Sequence, residues 1–259
     1  MKDFGLQTYT VREITKTKED LAKVFCQLRE IGYTEIQRSG GPAGITAAEY
    51  RAAADAAGLR IVGTHSSFDE MLADPDKAMD DHRIMGTTNI GVGAMPVEYR
   101  NSLDGAKQFV EKANRLSEIF YKNGFKFTYH NHSFEYRRYE GGERPMDILV
   151  RELNPDSTSF VLDTYWCQNA GVNPVTWIEK LTGRIDILHL KDMAMNSDAE
   201  KLHETVFAEI GQGNIEFIPI IEASKRAGVK HFVVEQDNFF RDGDQLKSAR
   251  LSAEAMKKL

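Results

Sequence analysis

Short apolar runs ending in polar or small residues alternate along this chain with longer segments of helical periodicity, at about 30 residues per repeat. That rhythm restricts the fold more than any other feature. The first run, about Phe4 to Tyr9, leads into a helical segment with Leu21, Val24, Phe25, Leu28 and Ile31 on one face, closed by Gly32. Further strands are expected near Thr34 to Gln37, Arg60 to His65, Asn89 to Ala94, Phe125 to His132, Ser159 to Asp163, Ile185 to Leu190 and His231 to Glu235. Between them the helical segments include one from about Thr46 to Ala57 stopped by Gly58, one reaching roughly Met85, and one with Ala106, Phe109, Val110, Ala113, Leu116, Ile119 and Phe120 as its apolar stripe. Helices near Pro145 to Leu153, Pro174 to Leu181, Glu216 to Ala227 and Gln245 to Lys258 complete the series. Eight strands alternating with eight helices match a single (β/α)8 TIM barrel, and the absence of any linker makes residues 1–259 one domain. A doubly wound open sheet would usually carry a glycine-rich turn after its first strand, and Leu6-Gln7-Thr8-Tyr9-Thr10-Val11-Arg12 has no glycine.

Composition narrows the chemistry mainly by exclusion. A net charge of −6 argues against a binder of nucleic-acid backbone. Two cysteines, Cys26 and Cys167, cannot build a disulfide scaffold or a four-thiolate zinc site, and a reducing compartment is the simplest inference. With no run of 18 apolar residues and no secretion pattern after Met1, the expectation is a cytoplasmic protein with no membrane partner; a leader removed beforehand would leave no trace.

The fifth strand is unusual. Within Phe125-Lys126-Phe127-Thr128-Tyr129-His130-Asn131-His132, an extended backbone puts Thr128, His130 and His132 on one side. Other strands also end in polar residues: His65, Asp163, His189 with Lys191 and Asp192, and Glu235 with Asp237. In a (β/α)8 barrel these positions converge at one mouth. Asp, Glu and His from separate strands suit one five- or six-coordinate divalent metal ion, with manganese, cobalt, zinc, iron and magnesium as candidates. The rival is a structural network in which Lys191 or Arg241 neutralises the acids.

Leu162-Asp163-Thr164-Tyr165-Trp166, Gly183-Arg184, Leu188-His189-Leu190-Lys191-Asp192 and Val234-Glu235-Gln236-Asp237, in that order, resemble the sugar phosphate isomerase/epimerase family of xylose-isomerase-like barrels. The group also holds ketose 3-epimerases, inosose dehydratases and endonuclease-IV-type repair enzymes. The resemblance implies that Asp163, His189 and Glu235 match three ligands of the family's divalent metal. His130 falls where the first ligand, a Glu, usually stands. It further implies a small carbohydrate substrate that passes through a metal-stabilised enediolate.

An isomerase or epimerase of a ketose is the first expectation. Losing one of two paired carboxylates brings a lyase or dehydratase of a 3-keto-sugar, 3-keto-glycoside or inosose close behind, because elimination needs one base and one acid. Glu235 is the expected base, with His130, His132, His65 or Lys191 supplying the second proton transfer. A barrel that binds sugar or metal without turnover is a third reading. Trp166 either stacks on sugar or packs, and Arg241 either holds a substrate oxygen or forms a surface ion pair. Asp192 and Asp237 are expected to orient His189 or Lys191, and Cys167 to pack. No phosphate cradle follows the last two strands, which favours an unphosphorylated substrate; a homo-oligomer is compatible with all of this.

Overall fold

A computed structural model of the chain describes residues 1–238 and 243–259. Its strands are β1 (Gly5–Gln7), β2 (Glu35–Ser39), β3 (Arg60–His65), β4 (Asn89–Val92), β5 (Lys126–His130), β6 (Thr158–Asp163), β7 (Ile185–Leu190), β8 (Asp192–Met195), β9 (Thr205–Ala208) and β10 (His231–Val234). All but β8 and β9 lie in one parallel sheet, in the order β3-β2-β1-β10-β7-β6-β5-β4. The sheet closes on itself through the parallel bridge between Ser66 and Val92, with the Ser66 N–H donating to Gly91 O at 2.7 Å. Around it run α1 (Lys18–Ile31), α2 (Ala47–Ala57), α3 (Phe68–Ala73), α4 (Pro75–Met85), α5 (Leu103–Lys122), α6 (Pro145–Glu152), α7 (Thr164–Asn169), α8 (Pro174–Lys180), α9 (Phe217–Ala227) and α10 (Gln245–Met256). The architecture is a (β/α)8 barrel, as the rhythm of the sequence requires.

The closing seam depends on a missing side chain. A Cβ on Gly91 would stand 2.2 Å from Thr64 O and 2.6 Å from Thr128 Oγ1. Gly91→Ala must therefore push β4 away from β3, and the expected loss is about 1–3 kcal/mol, the range for overpacking a tight interior. Urea unfolding with an unshifted midpoint would contradict this reading of the seam.

Several details depart from the sequence expectation. The fifth strand ends at His130, so His132 lies in the loop that follows it. The first strand stops at Gln7 because Thr8–Ile14 turns into a 3₁₀ segment. The helix reaching Met85 is two helices: Asp74, non-helical before Pro75, ends α3 and caps α4 through the Lys77 N–H. Ile119, placed in the apolar stripe of α5, is 41% exposed, at the stripe's edge. Short helix α7 and the antiparallel β8–β9 hairpin were not anticipated. Asp192 builds the hairpin's base: its carboxylate accepts from the backbone N–H groups of Met193, Gly211, Gly213 and Ile215. It thus secures this loop rather than orienting His189 or Lys191.

Among the described residues, no helix is long and apolar enough to cross a membrane.

Candidate functional site

Side chains two apart on a strand share a face, and three strands repeat one pattern inside the barrel. Val161 precedes Asp163, Ile187 precedes His189, and Val233 precedes Glu235, each by two residues. Val62, Val161, Ile187 and Val233 form a buried apolar cluster separate from the main core. It plugs the barrel, and the next inward residue of each strand stands above the plug at the C-terminal end. The register brings His130 beside Val161 and Asp163 beside His189. One ligand atom from each of His130, Asp163, His189 and Glu235 lies within 4.8 Å of the other three, and all four residues are buried.

The second nitrogen of each histidine fixes which one faces the cluster. His130 Nδ1 lies 2.7 Å from Gly93 O, a pure acceptor, so Nδ1 carries the proton and Nε2 a lone pair. That Nε2 lies 3.4 Å from Asp163 Oδ2 and 3.9 Å from Glu235 Oε2. His189 Nε2 contacts Gln37 Oε1, leaving Nδ1 to face Glu235 Oε2 at 2.8 Å. Neither His189 Nδ1 nor Glu235 Oε2 has an aligned hydrogen-bond partner. Electron-rich atoms this close need a cation or a proton between them. Burial works against a charged His189, but Glu235 and Asp163 outweigh it and hold its pKa above the ordinary value. The mixed nitrogen and oxygen donors, three or four per ion, fit a divalent metal.

Lys191 is the cation already present. Its Nζ, 1% exposed, lies 2.9 Å from Glu235 Oε2, 3.3 Å from Asp163 Oδ2 and 3.2 Å from Asp237 Oδ2. Burial alone would lower its pKa, but the three carboxylates overcome that and hold the ammonium well above its usual range. In return, Asp163 and Glu235 stay well below the usual carboxylate range despite the cost of burial, chiefly through Lys191. Asp237, farther out, is pushed up by burial and by Glu235. The sequence expectation that Asp237 partners Lys191 holds. Asp163 has a second task, since its Oδ1 accepts the Trp166 N–H at 3.0 Å and caps α7.

A family model for xylose isomerase-like TIM barrels matches residues 25–259. The chain belongs to that family. A sugar phosphate isomerase/epimerase from Parabacteroides distasonis ATCC 8503 is similar over 99% of this chain and 93% of its own, with 26% identity and a TM-score of 0.81. A second such protein from the same organism has 23% identity and a TM-score of 0.81, over 100% of this chain and 99% of its own. An inosose dehydratase from Geobacillus thermodenitrificans (strain NG80-2) is 29% identical over 140 residues, which is 49% of this chain and 46% of that protein. The chain thus matches about half the length of this curated relative. The resemblance read from the four motifs is borne out.

Within this xylose isomerase-like barrel, the remaining candidate residues divide. His65, His132 and Trp166 are at the mouth: the His65 and His130 rings lie 5.0 Å apart, His130 and His132 4.8 Å, and His132 and Trp166 4.9 Å. Burial, then neighbouring His130 and His189, holds His65 well below its ordinary pKa. His132 is lowered to about 3 by burial and by neighbouring His130 and Lys191. Both imidazoles are therefore neutral at working pH and poor sources of a proton. Cys167 is buried and contacts Tyr136 Oη at 3.2 Å, as expected of a packing residue. Arg241 lies outside the described residues.

Five further residues shape the site. Gln7 Nε2 donates to Glu235 Oε1 at 2.8 Å, Gln37 holds His189, and Gly93 O holds His130. For Gln7 the available signal was a polar residue ending an apolar strand, whereas Gln37 lies mid-strand among other polar residues and gave no such signal. Phe207, from the hairpin, contacts the rings of Tyr165 and Trp166 at 4.3 and 5.7 Å. Glu135, fully buried, accepts from Tyr129 Oη at 2.6 Å and from the His132 N–H at 2.9 Å, pinning the loop that carries His132.

Burial pushes the Glu135 carboxyl up to about 7, against its ordinary 4.5. Between those values the folded protein binds the extra proton, so stability falls as pH rises from about 4.5 to 7. Glu135→Gln is expected to flatten that slope, and urea midpoints across the window would reveal it; an unchanged slope would contradict the assignment.

A groove of about 570 Å³ beside Phe217, Ile218 and Leu251 lies away from this cluster.

Proposed function

We propose that this chain is a divalent-metal-dependent enzyme that removes the proton beside the carbonyl of a keto-sugar and expels the substituent on the next carbon as a lyase. The observation that carries this reading is the fixed tautomer of His130, whose Nδ1–H is committed to Gly93 O. Its Nε2 lone pair is turned toward Asp163 Oδ2 and Glu235 Oε2, so this reading takes His130 as a ligand and not as a second base. Asp163 is further committed to capping α7 through the Trp166 N–H, whereas Glu235 Oε2 has no aligned hydrogen-bond donor, so Glu235 is the carboxylate this reading takes as the base.

His130, Asp163, His189 and Glu235 would hold the ion, and a bound divalent ion supplies a Lewis acid that acidifies the C–H bond beside the carbonyl. Gln7 fixes one oxygen of Glu235 while Oε2 receives that proton. The C–H electron pair becomes the new double bond as the C–O bond breaks, and Lys191 protonates the departing oxygen. Once Glu235 is neutral, one of the charges holding the Lys191 pKa up is gone, so its ammonium becomes a stronger acid at the moment it is needed. The 2.9 Å contact then lets Glu235 return its proton to Lys191, which restores both groups.

The likeness to an inosose dehydratase supports this elimination. The likeness over nearly the whole chain to a sugar phosphate isomerase/epimerase supports a second reading, isomerisation. There Glu235 hands its proton to the adjacent carbon on the same face, with no opposed base.

Incubation of the metal-loaded protein in D2O with scyllo-inosose, 3-keto-glucosides and ketoses, followed by NMR, tests both. Elimination gives an unsaturated ketone and a released substituent; isomerisation gives an intact sugar carrying deuterium. No deuterium and no product from any of them would sink the reading.

A further inference from the structure

The loop that follows β5 is fastened at two points. Asn131 Oδ1 accepts the Asp163 N–H at 3.0 Å, and Glu135, in the short 3₁₀ turn Phe134–Tyr136, reaches back to β5 and to His132. Glu135 is 0% exposed, yet both of its side-chain contacts are with uncharged donors: Oε1 accepts from Tyr129 Oη at 2.6 Å and Oε2 from the His132 N–H at 2.9 Å. That arrangement suits a carboxylate. A proton added to the carboxyl meets the Tyr129 O–H on one oxygen or the His132 N–H on the other, donor against donor, so one contact must yield. Burial favours the added proton while the two donors oppose it, which leaves the group poised between two states. The Tyr129 ring packs on those of Phe109 and Phe160, at 5.4 and 6.4 Å, on the side of β5 away from His130. Of the two partners, the loop is the freer to move.

We propose that Glu135 is a positioning residue: ionised, it locks His132 into the wall of the mouth, and protonated, it releases the His132 N–H so that this wall shifts. The inference rests on the reading that the reaction takes place at this mouth, and it adds a control of the mouth by pH. His132 passes the effect on, because its ring is stacked on Phe134 at 5.9 Å and lies 4.9 Å from that of Trp166. The groups around Glu135 do not change charge with it. Burial above all holds Tyr129, Tyr136 and Cys167 over their ordinary pKa values, so all three keep their protons near neutrality. His132 is lowered to about 3 by burial, and Asp163 stays ionised. The Arg100 guanidinium favours the carboxylate only weakly, being committed to Met95 O at 2.6 Å and to the face of Phe134 at 4.5 Å. From α6, which packs on the turn, Arg144 and Asp147 are paired with each other at 2.8 Å. With its own pKa pushed up to about 7 by burial, Glu135 is left as the group in this pocket that changes charge near neutral pH.

The test uses the full chain with excess magnesium and ¹⁵N-labelled histidine, followed by NMR as pH is carried across neutrality. The seven histidines give seven backbone amide resonances, and the one missing from His132→Gln is that of His132. In wild type this resonance is expected to move with a midpoint near pH 7, and its protection from hydrogen exchange to fall below that midpoint. Glutamine keeps a donor in the carboxyl at every pH, so Glu135→Gln should hold the His132 amide near its low-pH position without a midpoint. Tyr129→Phe leaves both Glu135 and His132 in place and removes one donor to the carboxylate. It should raise the midpoint by about one pH unit, and it tests the same link should Glu135→Gln fail to fold. A His132 amide indifferent to pH near 7, the same midpoint in Glu135→Gln as in wild type, or a midpoint unmoved in Tyr129→Phe would overturn the inference. The readout is a backbone amide and needs no substrate. A titrating His132 with no turnover of any keto-sugar would therefore count against the proposed reaction and leave this inference standing.

Discussion

Glu235→Gln is expected to cut turnover at least 10³-fold, because it removes the group proposed to take the substrate proton; general-base contributions run to about 10²–10⁴ and the ion's hold is weakened as well. Glutamine has nearly the same shape and can still face Gln7, so the barrel should fold. The two losses separate experimentally. Metal affinity measured by calorimetry reports the ligand, and solvent deuterium exchange at saturating metal reports the base. If exchange persists at the wild-type rate once metal is restored, another residue is the base and the assignment to Glu235 fails.

The second large effect belongs to Lys191→Met. Lys191 is fully buried and offsets three carboxylates, two of them with almost no exposure of their own. Removing one member of a buried ion pair costs about 3–5 kcal/mol, since the partners stay buried without compensation. In the presence of a chelator the variant should unfold at much lower urea than wild type. Added divalent ion should recover most of the loss, because it would bring positive charge to the same oxygens, Glu235 Oε2 and Asp163 Oδ2, that Lys191 now contacts. Turnover should not recover, since methionine cannot protonate a leaving oxygen. Wild-type stability in chelator would show that these carboxylates do not depend on Lys191.

Much of the architecture could be read from the chain because its physics is local. Apolar strands punctuated by Asp163, His189 and Glu235 announce inward polar positions, and period-two geometry carries them to one end of the barrel. The glycine-closed helices α1 and α2 follow from capping alone, with Gly58 in the left-handed conformation and Thr46 forming a capping box with Glu49. The hairpin was hidden because its shape is set at a distance. Asp192 gathers N–H groups from residues 211–215, and Gly213 admits that carboxylate only by lacking a Cβ, which would stand 2.4 Å from Asp192 Oδ1. Gln7 was legible as a polar residue ending an apolar strand and Gln37 was not, and the roles of both depend on neighbours more than 150 positions away. Likewise His65 and His132 look like proton carriers in sequence, and it is their burial among other histidines that holds them neutral.

The measurement that bears most directly on the account is the stoichiometry and affinity of divalent metal binding, by elemental analysis and calorimetry, for wild type and Asp163→Asn. The account predicts one ion per chain in wild type, with affinity reduced at least tenfold in the variant. No stoichiometric ion in wild type, or an ion bound equally well by Asp163→Asn, would contradict it and leave the polar cluster a structural network closed by Lys191.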